Sequence, residues 1–254
     1  MRNVFKGLYM CFGMFCTIPL PGYWDEGGAK FMMPWFPVVG AVIGMIWWLA
    51  AEMLGVLSLW IPASLIAAFL ILIPFLLAGL IHLDGFMDTS DAILSRRGIE
   101  DKLRIIKDPN AGAFSVIMTV ILFMFLFASG FAIAQKGASL ALLIVISAVS
   151  RCFSSMAMLC IRPMTDNGYA GLFKPETPMP QIIMTIVFLI AAFWAAWSIG
   201  GYLGLIVAAA VAVGYTVAML IALKSFEFKG VSGDLAGFSL VIAEMCGLVA
   251  LAIV

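Results

Sequence analysis

Apolar runs of about twenty residues recur along this chain and leave little choice of fold. They lie at roughly 35–57, 62–81, 113–134, 139–161, 181–199, 202–223 and 237–254. A helix needs about twenty such residues to cross a hydrocarbon layer about 30 Å thick. Inside lipid, a helix also satisfies its own backbone hydrogen bonds. Of the 254 residues 64% are hydrophobic and only 11% charged, against about a quarter charged in soluble domains. The expected fold is therefore all-α: a polytopic membrane helical bundle of about seven transmembrane helices, forming one integral-membrane domain over 1–254. No soluble domain is left over, and no internal repeat is evident. Pro34, Pro62 and Pro180 sit at helix starts, where a missing N–H costs least. Pro74 lies inside the second run and is expected to kink it.

The first residues, with Arg2 and Lys6 ahead of an apolar stretch, superficially resemble a signal peptide. The region 16–21 lacks the small-x-small cleavage pattern, so the segment is read as retained. From Val4 to Ile18 it is too short to span comfortably. It reads as an interfacial or re-entrant helix ended by Pro19 and Pro21.

Formal net charge is zero, and no basic patch or stripe points to nucleic acid. The five cysteines show no CxxC or Cys/His spacing and read as free thiols. Basic residues set the orientation. With the N-terminus cytoplasmic, twelve of the fourteen Lys and Arg fall inside, only Lys136 falls outside, and Arg151 lies within a span. The same arrangement gathers Asp84, Asp88, Asp91, Asp108, Asp166, Asn167 and Asp234 at the cytoplasmic rim. The outer loops, 58–61, 135–138 and 200–201, are too short and plain to build a site.

Chemistry concentrates in one polar island, His82 to Phe114, which holds six of the fourteen acidic and five of the fourteen basic residues. Asp84, Asp88 and Asp91 are spaced four and three apart, which places them on one helical face. Like charges there repel, whereas Mg²⁺ takes carboxylate oxygens and bridges to phosphates. The plain alternative is a charged loop balancing Arg96, Arg97, Lys102, Arg104 and Lys107. Asp108 reads as a fourth metal ligand or as a helix cap, and Arg104 and Lys107 as contacts to diphosphate oxygens or as a solvated face. His82, the only histidine, reads as an interfacial hydrogen-bonder or as a base.

Ser232, Gly233 and Asp234 lie in a glycine-rich turn before the last run, a place where helix N–H groups can hold an anion. Neither GxGxxG nor GxxxxGK[ST] is present. Ionisable residues within spans are costly. Arg151 is accordingly either the partner of Glu244 or a phosphate-binding arginine; Glu52 near a span end is a snorkelling residue. Carboxylates on one face, basic neighbours and a membrane bundle together suggest metal-assisted phosphoryl chemistry.

HLDGFMDTSDA, residues 82–92, resembles the HLDGxxDTxDG signature of the cobalamin synthase family, the adenosylcobinamide-GDP ribazoletransferases. DKLRIIKDPNAGAFSV resembles that family's xxLxIMKDSxxGxFGV. TIPLP, Arg151 and GVSGDLAGFSLVIAE resemble further blocks in the same order. Ala92, Pro109 and Ser232 depart from the usual Gly, Ser and Thr, and RPMTDNGYAGLF follows its block only loosely. The resemblance implies transfer of α-ribazole, or its 5′-phosphate, onto adenosylcobinamide-GDP with release of GMP and with Mg²⁺ as cofactor. The positive-inside pattern suggests a multi-pass protein of a bacterial-type cell inner membrane with its active site on the cytoplasmic side, in contact with membrane lipid, and the charge balance argues for no nucleic-acid partner. Homo-oligomer formation is left open. In this reading Asp84, Asp88 and Asp91 ligate Mg²⁺, and Asp108 and Asp234 complete or orient the site. His82 and Arg151 take part in catalysis, and Arg104, Lys107, Ser232, Gly233 and Asp234 meet substrate.

Two rivals are weaker. A CDP-alcohol phosphatidyltransferase would need DGxxAR, and here Asp84-Gly85 is not followed by Ala-Arg. A transporter would favour polar residues at mid-membrane, whereas these acids cluster at one rim.

Overall fold

The computed structural model describes residues 2–136, 139–165, 168–175 and 177–254. Asp166 and Asn167 lie outside them. Among the described residues the chain is helical, with one isolated bridge between Pro163 and Val231 and no strand. In order the helices are α1 (Arg2–Phe15), α2 (Glu26–Ala29), α3 (Phe36–Val56), α4 (Ala63–Leu77), α5 (Ile81–Leu94) and α6 (Ile99–Ile105). There follow α7 (Ala113–Lys136), α8 (Leu142–Cys160), α9 (Tyr169–Leu172), α10 (Met179–Ser225) and α11 (Gly233–Ile253).

The bundle is built around α8. It packs against α3, α10 and α11, while α11 also meets α5 and α7, and α4 lies along α7. Of the α8 span 83% is buried against protein, against 28% for α7, so α8 is the core helix and α7 faces lipid. Helix α1 turns Gly7, Cys11 and Phe15 inward and leaves Phe5 65% exposed. That single buried stripe suits an interfacial helix.

Five helices are individually long and apolar enough to span, and six if the bent pair α4–α5 is one span. The expected count of seven and this count part at two places, each with a physical reason. First, the run 181–223 is one 47-residue element. A straight helix of that length would measure about 70 Å. Instead Gly201 adopts φ 57°, ψ −133°, and a carbon added at Gly204 would fall 1.9 Å from the Ala196 carbonyl oxygen. Residues eight apart on a straight helix are about 12 Å apart, so the two limbs fold back on each other at 200–201.

Second, the run 62–81 ends early. The Leu80 N–H donates to the Phe75 carbonyl and the Gly79 N–H to the Leu76 carbonyl, with Gly79 at φ +67°. This is a Schellman end, which requires the left-handed residue that glycine supplies cheaply. Leu80 is left-handed too, at φ +62°, and α5 departs at 94° to α4. The open carbonyls at the corner are taken by Thr17: its N–H donates to Leu77 O at 2.8 Å, and its hydroxyl lies 3.1 Å from Leu76 O. Pro74 sits inside α4, where its missing N–H frees the Leu70 carbonyl. The buried Trp47 indole N–H on α3 donates to that carbonyl at 2.7 Å.

Candidate active site

The 94° corner lays α5 across the N-termini of two spanning helices. At one end, a carbon on Gly85 would come within 2.9 Å of the Asp234 Cα and carbonyl oxygen. Only glycine lets the α5 backbone rest on the first turn of α11. At the other end, the Asp91 carboxylate accepts the Phe114 N–H at 3.2 Å, capping α7. A carbon on Gly112 would fall 2.1 Å from the Asp91 carboxylate. The aspartate face predicted from spacing therefore forms, and it bridges the starts of α11 and α7.

Asp88 lies between them. Partial burial, together with the charges of Asp84, Asp234 and Asp91, pushes its carboxyl up to about 6. Burial and like charge both disfavour the ionised carboxylate, and at Asp88 they act in the same direction, burial most strongly. Ser232 caps α11, accepting the Leu235 N–H at 3.3 Å, and its hydroxyl donates to the Asp234 carboxylate at 3.3 Å. That bond fixes Asp234 toward the cluster.

Beside Asp84 and Asp234 opens a cavity of about 290 Å³. Gly233, Gly237, Ala236, His82 and Ser154 line it together with Met14, Phe15, Met33, Phe36, Ile81, Met158, Tyr169 and Phe173. His82 is buried, stacked 6.0 Å from Phe15 and tilted 5.7 Å from Phe36. Its Nε2 has no hydrogen-bond partner.

The remaining sequence candidates lie elsewhere. Asp108 is exposed and turns back on Asn110, accepting its N–H at 2.9 Å and its side-chain amide at 2.8 Å. Those two bonds hold its carboxyl below the usual range. Arg104 is exposed and 3.7 Å from Asp101, Lys107 is exposed, and neither lines the cavity. Arg151 is buried in an ion pair with Glu244, with Ser147 Oγ at 2.8 Å and Ser150 Oγ at 3.2 Å. Of its two readings, the structure displays the pairing with Glu244. Lys102 is drawn to α10, donating to the Ser225 carbonyl at 2.9 Å.

Residues that spacing does not single out include Thr17 at the corner and the aromatic pair Tyr169 and Phe173, whose rings stack 6.2 Å apart. Their only sequence signal is an i, i+4 aromatic pair in an otherwise polar loop.

Among the described residues, no three or more His, Cys, Asp or Glu are disposed to hold a metal ion by themselves. The donor chemistry nevertheless suits Mg²⁺, which commonly takes one or two protein carboxylates and completes its shell with water and substrate phosphate. A face of mutually repelling carboxylates fits an ion that arrives with a diphosphate, not a preassembled cage.

Comparison with known proteins agrees over nearly the full length. The profile of the Cobalamin-5-phosphate synthase family matches residues 7–252. An adenosylcobinamide-GDP ribazoletransferase of Clostridium botulinum is 39% identical over 249 residues, covering 98% of this chain and 97% of the relative. One from Clostridium perfringens is 37% identical over the whole of both chains. One from Ectopseudomonas mendocina is 30% identical, with 93% of each chain covered. No solved structure matches. With the family profile spanning almost every residue and the aspartate face assembled where its signature falls, the chain belongs to the Cobalamin-5-phosphate synthase family.

Proposed function

We propose that this protein transfers α-ribazole, or its 5′-phosphate, onto adenosylcobinamide-GDP. A ribose hydroxyl attacks the phosphorus attached to cobinamide, the bond from that phosphorus to the bridging oxygen breaks, and GMP leaves. The observation that carries this reading is the convergence of Asp84, Asp91 and Asp234 about Asp88, with Asp84 and Asp234 lining the adjoining cavity, in a chain of this family. Mg²⁺ bound between one or two of these carboxylates and the diphosphate would neutralise charge and stabilise the leaving phosphate.

The chain's own contribution is positioning. Asp91 ties α5 to α7, Gly85 seats it on α11, and Ser232 orients Asp234. The start of α11 adds a helix dipole that favours negative charge. The concentration of basic residues at the site end supports a bacterial-type inner membrane with the site facing the cytoplasm.

The test is direct. Purified protein in lipid, given Mg²⁺, adenosylcobinamide-GDP and α-ribazole, releases GMP and forms the joined cobamide. Asp84→Asn lowers turnover by at least a hundredfold while the amount of folded protein is unchanged. A phospholipid product, or near-normal turnover in the Asn variant, overturns the assignment.

A further inference from the structure

The cavity beside the carboxylates has two unlike kinds of lining, and the difference bears on which part of which substrate it receives. Its volume, about 290 Å³, stands at the foot of the range for small-molecule sites, about 300–1,000 Å³. A nucleoside fits such a space, whereas a corrin macrocycle with its amide side chains does not. Apart from Asp84, Asp234 and their neighbouring glycines the wall is mostly Phe15, Phe36, Phe173, Met33 and Met158, with Ser154 and Tyr169 supplying hydroxyls, a surface for stacking and dispersion against a flat apolar ring. Polar atoms are scarce there. His82 lines it through its ring, while its Nε2 is shut away from the open space and has no partner among the described residues.

That scarcity discriminates between the two bases in the reaction. Guanine carries a ring N–H, an amino group, a carbonyl and unsubstituted ring nitrogens. Burying them without partners costs about 1–3 kcal/mol each. A benzimidazole linked to ribose through one nitrogen exposes a single polar ring atom, the other nitrogen. The Ser154 and Tyr169 hydroxyls can answer that one acceptor but not guanine's whole set of donors and acceptors.

We propose that this cavity seats the base of the incoming nucleoside, and that its Phe and Met walls select an apolar benzimidazole-type base over a purine. The proposal rests on the transfer reading above and assigns the nucleoside's place within it. With the base among Phe36, Phe173 and Met158, the ribose emerges beside Asp84 and Asp234, where the diphosphate is to be met. The guanine end of the other substrate then lies outside this cavity, on the open side of α5.

The test uses the full chain in lipid nanodiscs, with radiolabelled α-ribazole and no second substrate. Saturable binding is expected, displaced by other benzimidazole nucleosides and not by guanosine, GMP or an adenine nucleoside at tenfold higher concentration. In steady-state assays, Phe173→Ala and the cavity-filling Met158→Phe raise KM for α-ribazole at least tenfold and leave KM for adenosylcobinamide-GDP within twofold. Displacement by guanosine or GMP overturns the proposal, as does a rise confined to KM for adenosylcobinamide-GDP, or no saturable binding by the wild-type protein. Displacement needs only the wild-type chain and no turnover. A wild-type protein that binds α-ribazole but releases no GMP would therefore sink the transfer reading and leave the base seat standing.

Discussion

Asp88 is held among three other carboxylates, and its position carries a measurable cost. Its carboxyl is raised to about 6 in the folded protein, against about 3.9 in an unfolded chain. The folded state therefore binds the proton more tightly, and ionisation of Asp88 works against folding. The penalty is full above pH 6 and disappears as the pH falls toward 4. Asp88→Asn is expected to stabilise the metal-free protein at pH 7.5 by about 1 kcal/mol, a figure reduced for its partial contact with water. The gain vanishes near pH 4 while turnover is lost at every pH. Thermal unfolding in detergent across that pH range measures it, and a destabilised Asn variant at pH 7.5 would contradict the picture of crowded anions. Arg151 poses the opposite case, a buried charge that is matched. Removing one member of such a pair costs about 3–5 kcal/mol, whereas replacing both with apolar residues is often close to neutral. Glu244→Gln should therefore lower the unfolding temperature markedly. Arg151→Met combined with Glu244→Leu should recover most of the loss and retain GMP release. A double variant that is stable yet inactive would instead give Arg151 a role in the reaction.

At the scale of elements, the corner between α4 and α5 decides where the aspartates go. Pro74 removes one hydrogen bond from α4, and Trp47 on α3 replaces it from outside. Trp47→Phe leaves the buried Leu70 carbonyl unpaired and should cost about 1–3 kcal/mol. Pro74→Ala returns an N–H to that carbonyl, so the double variant should lose clearly less than the sum of the two single changes, as read from a double-mutant cycle of unfolding free energies. Strict additivity would show that the indole bond contributes nothing. This corner also marks how far the sequence could be read. The spacing of Asp84, Asp88 and Asp91 foretells their shared face, because helical periodicity is local. The end of α4 is hidden in an unbroken apolar run, because a Schellman end is made by backbone hydrogen bonds and one left-handed glycine. The cavity is harder still to foresee: Phe15, Phe36, Met158 and Phe173 come from four separated segments, and only packing around α8 brings them together.

For the whole molecule, the deciding quantity is which side of the membrane the site faces, and the chain carries its own reporter. Of the five free cysteines, Cys11, Cys16 and Cys152 are buried, Cys246 is half-buried within α11, and Cys160 is exposed. Cys160 ends α8 two residues before Arg162 and three before the bridge from Pro163 to Val231, at the same end of the bundle as the starts of α7 and α11. Basic residues of α6 and of the loops after α8 and α10 share that end: Lys102 reaches the Ser225 carbonyl, and Arg162 donates to the Phe228 carbonyl at 2.9 Å. Positive charge is retained on the cytoplasmic side, so Cys160 and the aspartate face are expected there together. A membrane-impermeant maleimide should label Cys160 in inverted membrane vesicles and spare it in intact spheroplasts. Cys160→Ser should abolish the signal in inverted vesicles. Labelling from the outside of intact spheroplasts would reverse the orientation and place the carboxylates away from the nucleotide pool, which the proposed transfer could not tolerate.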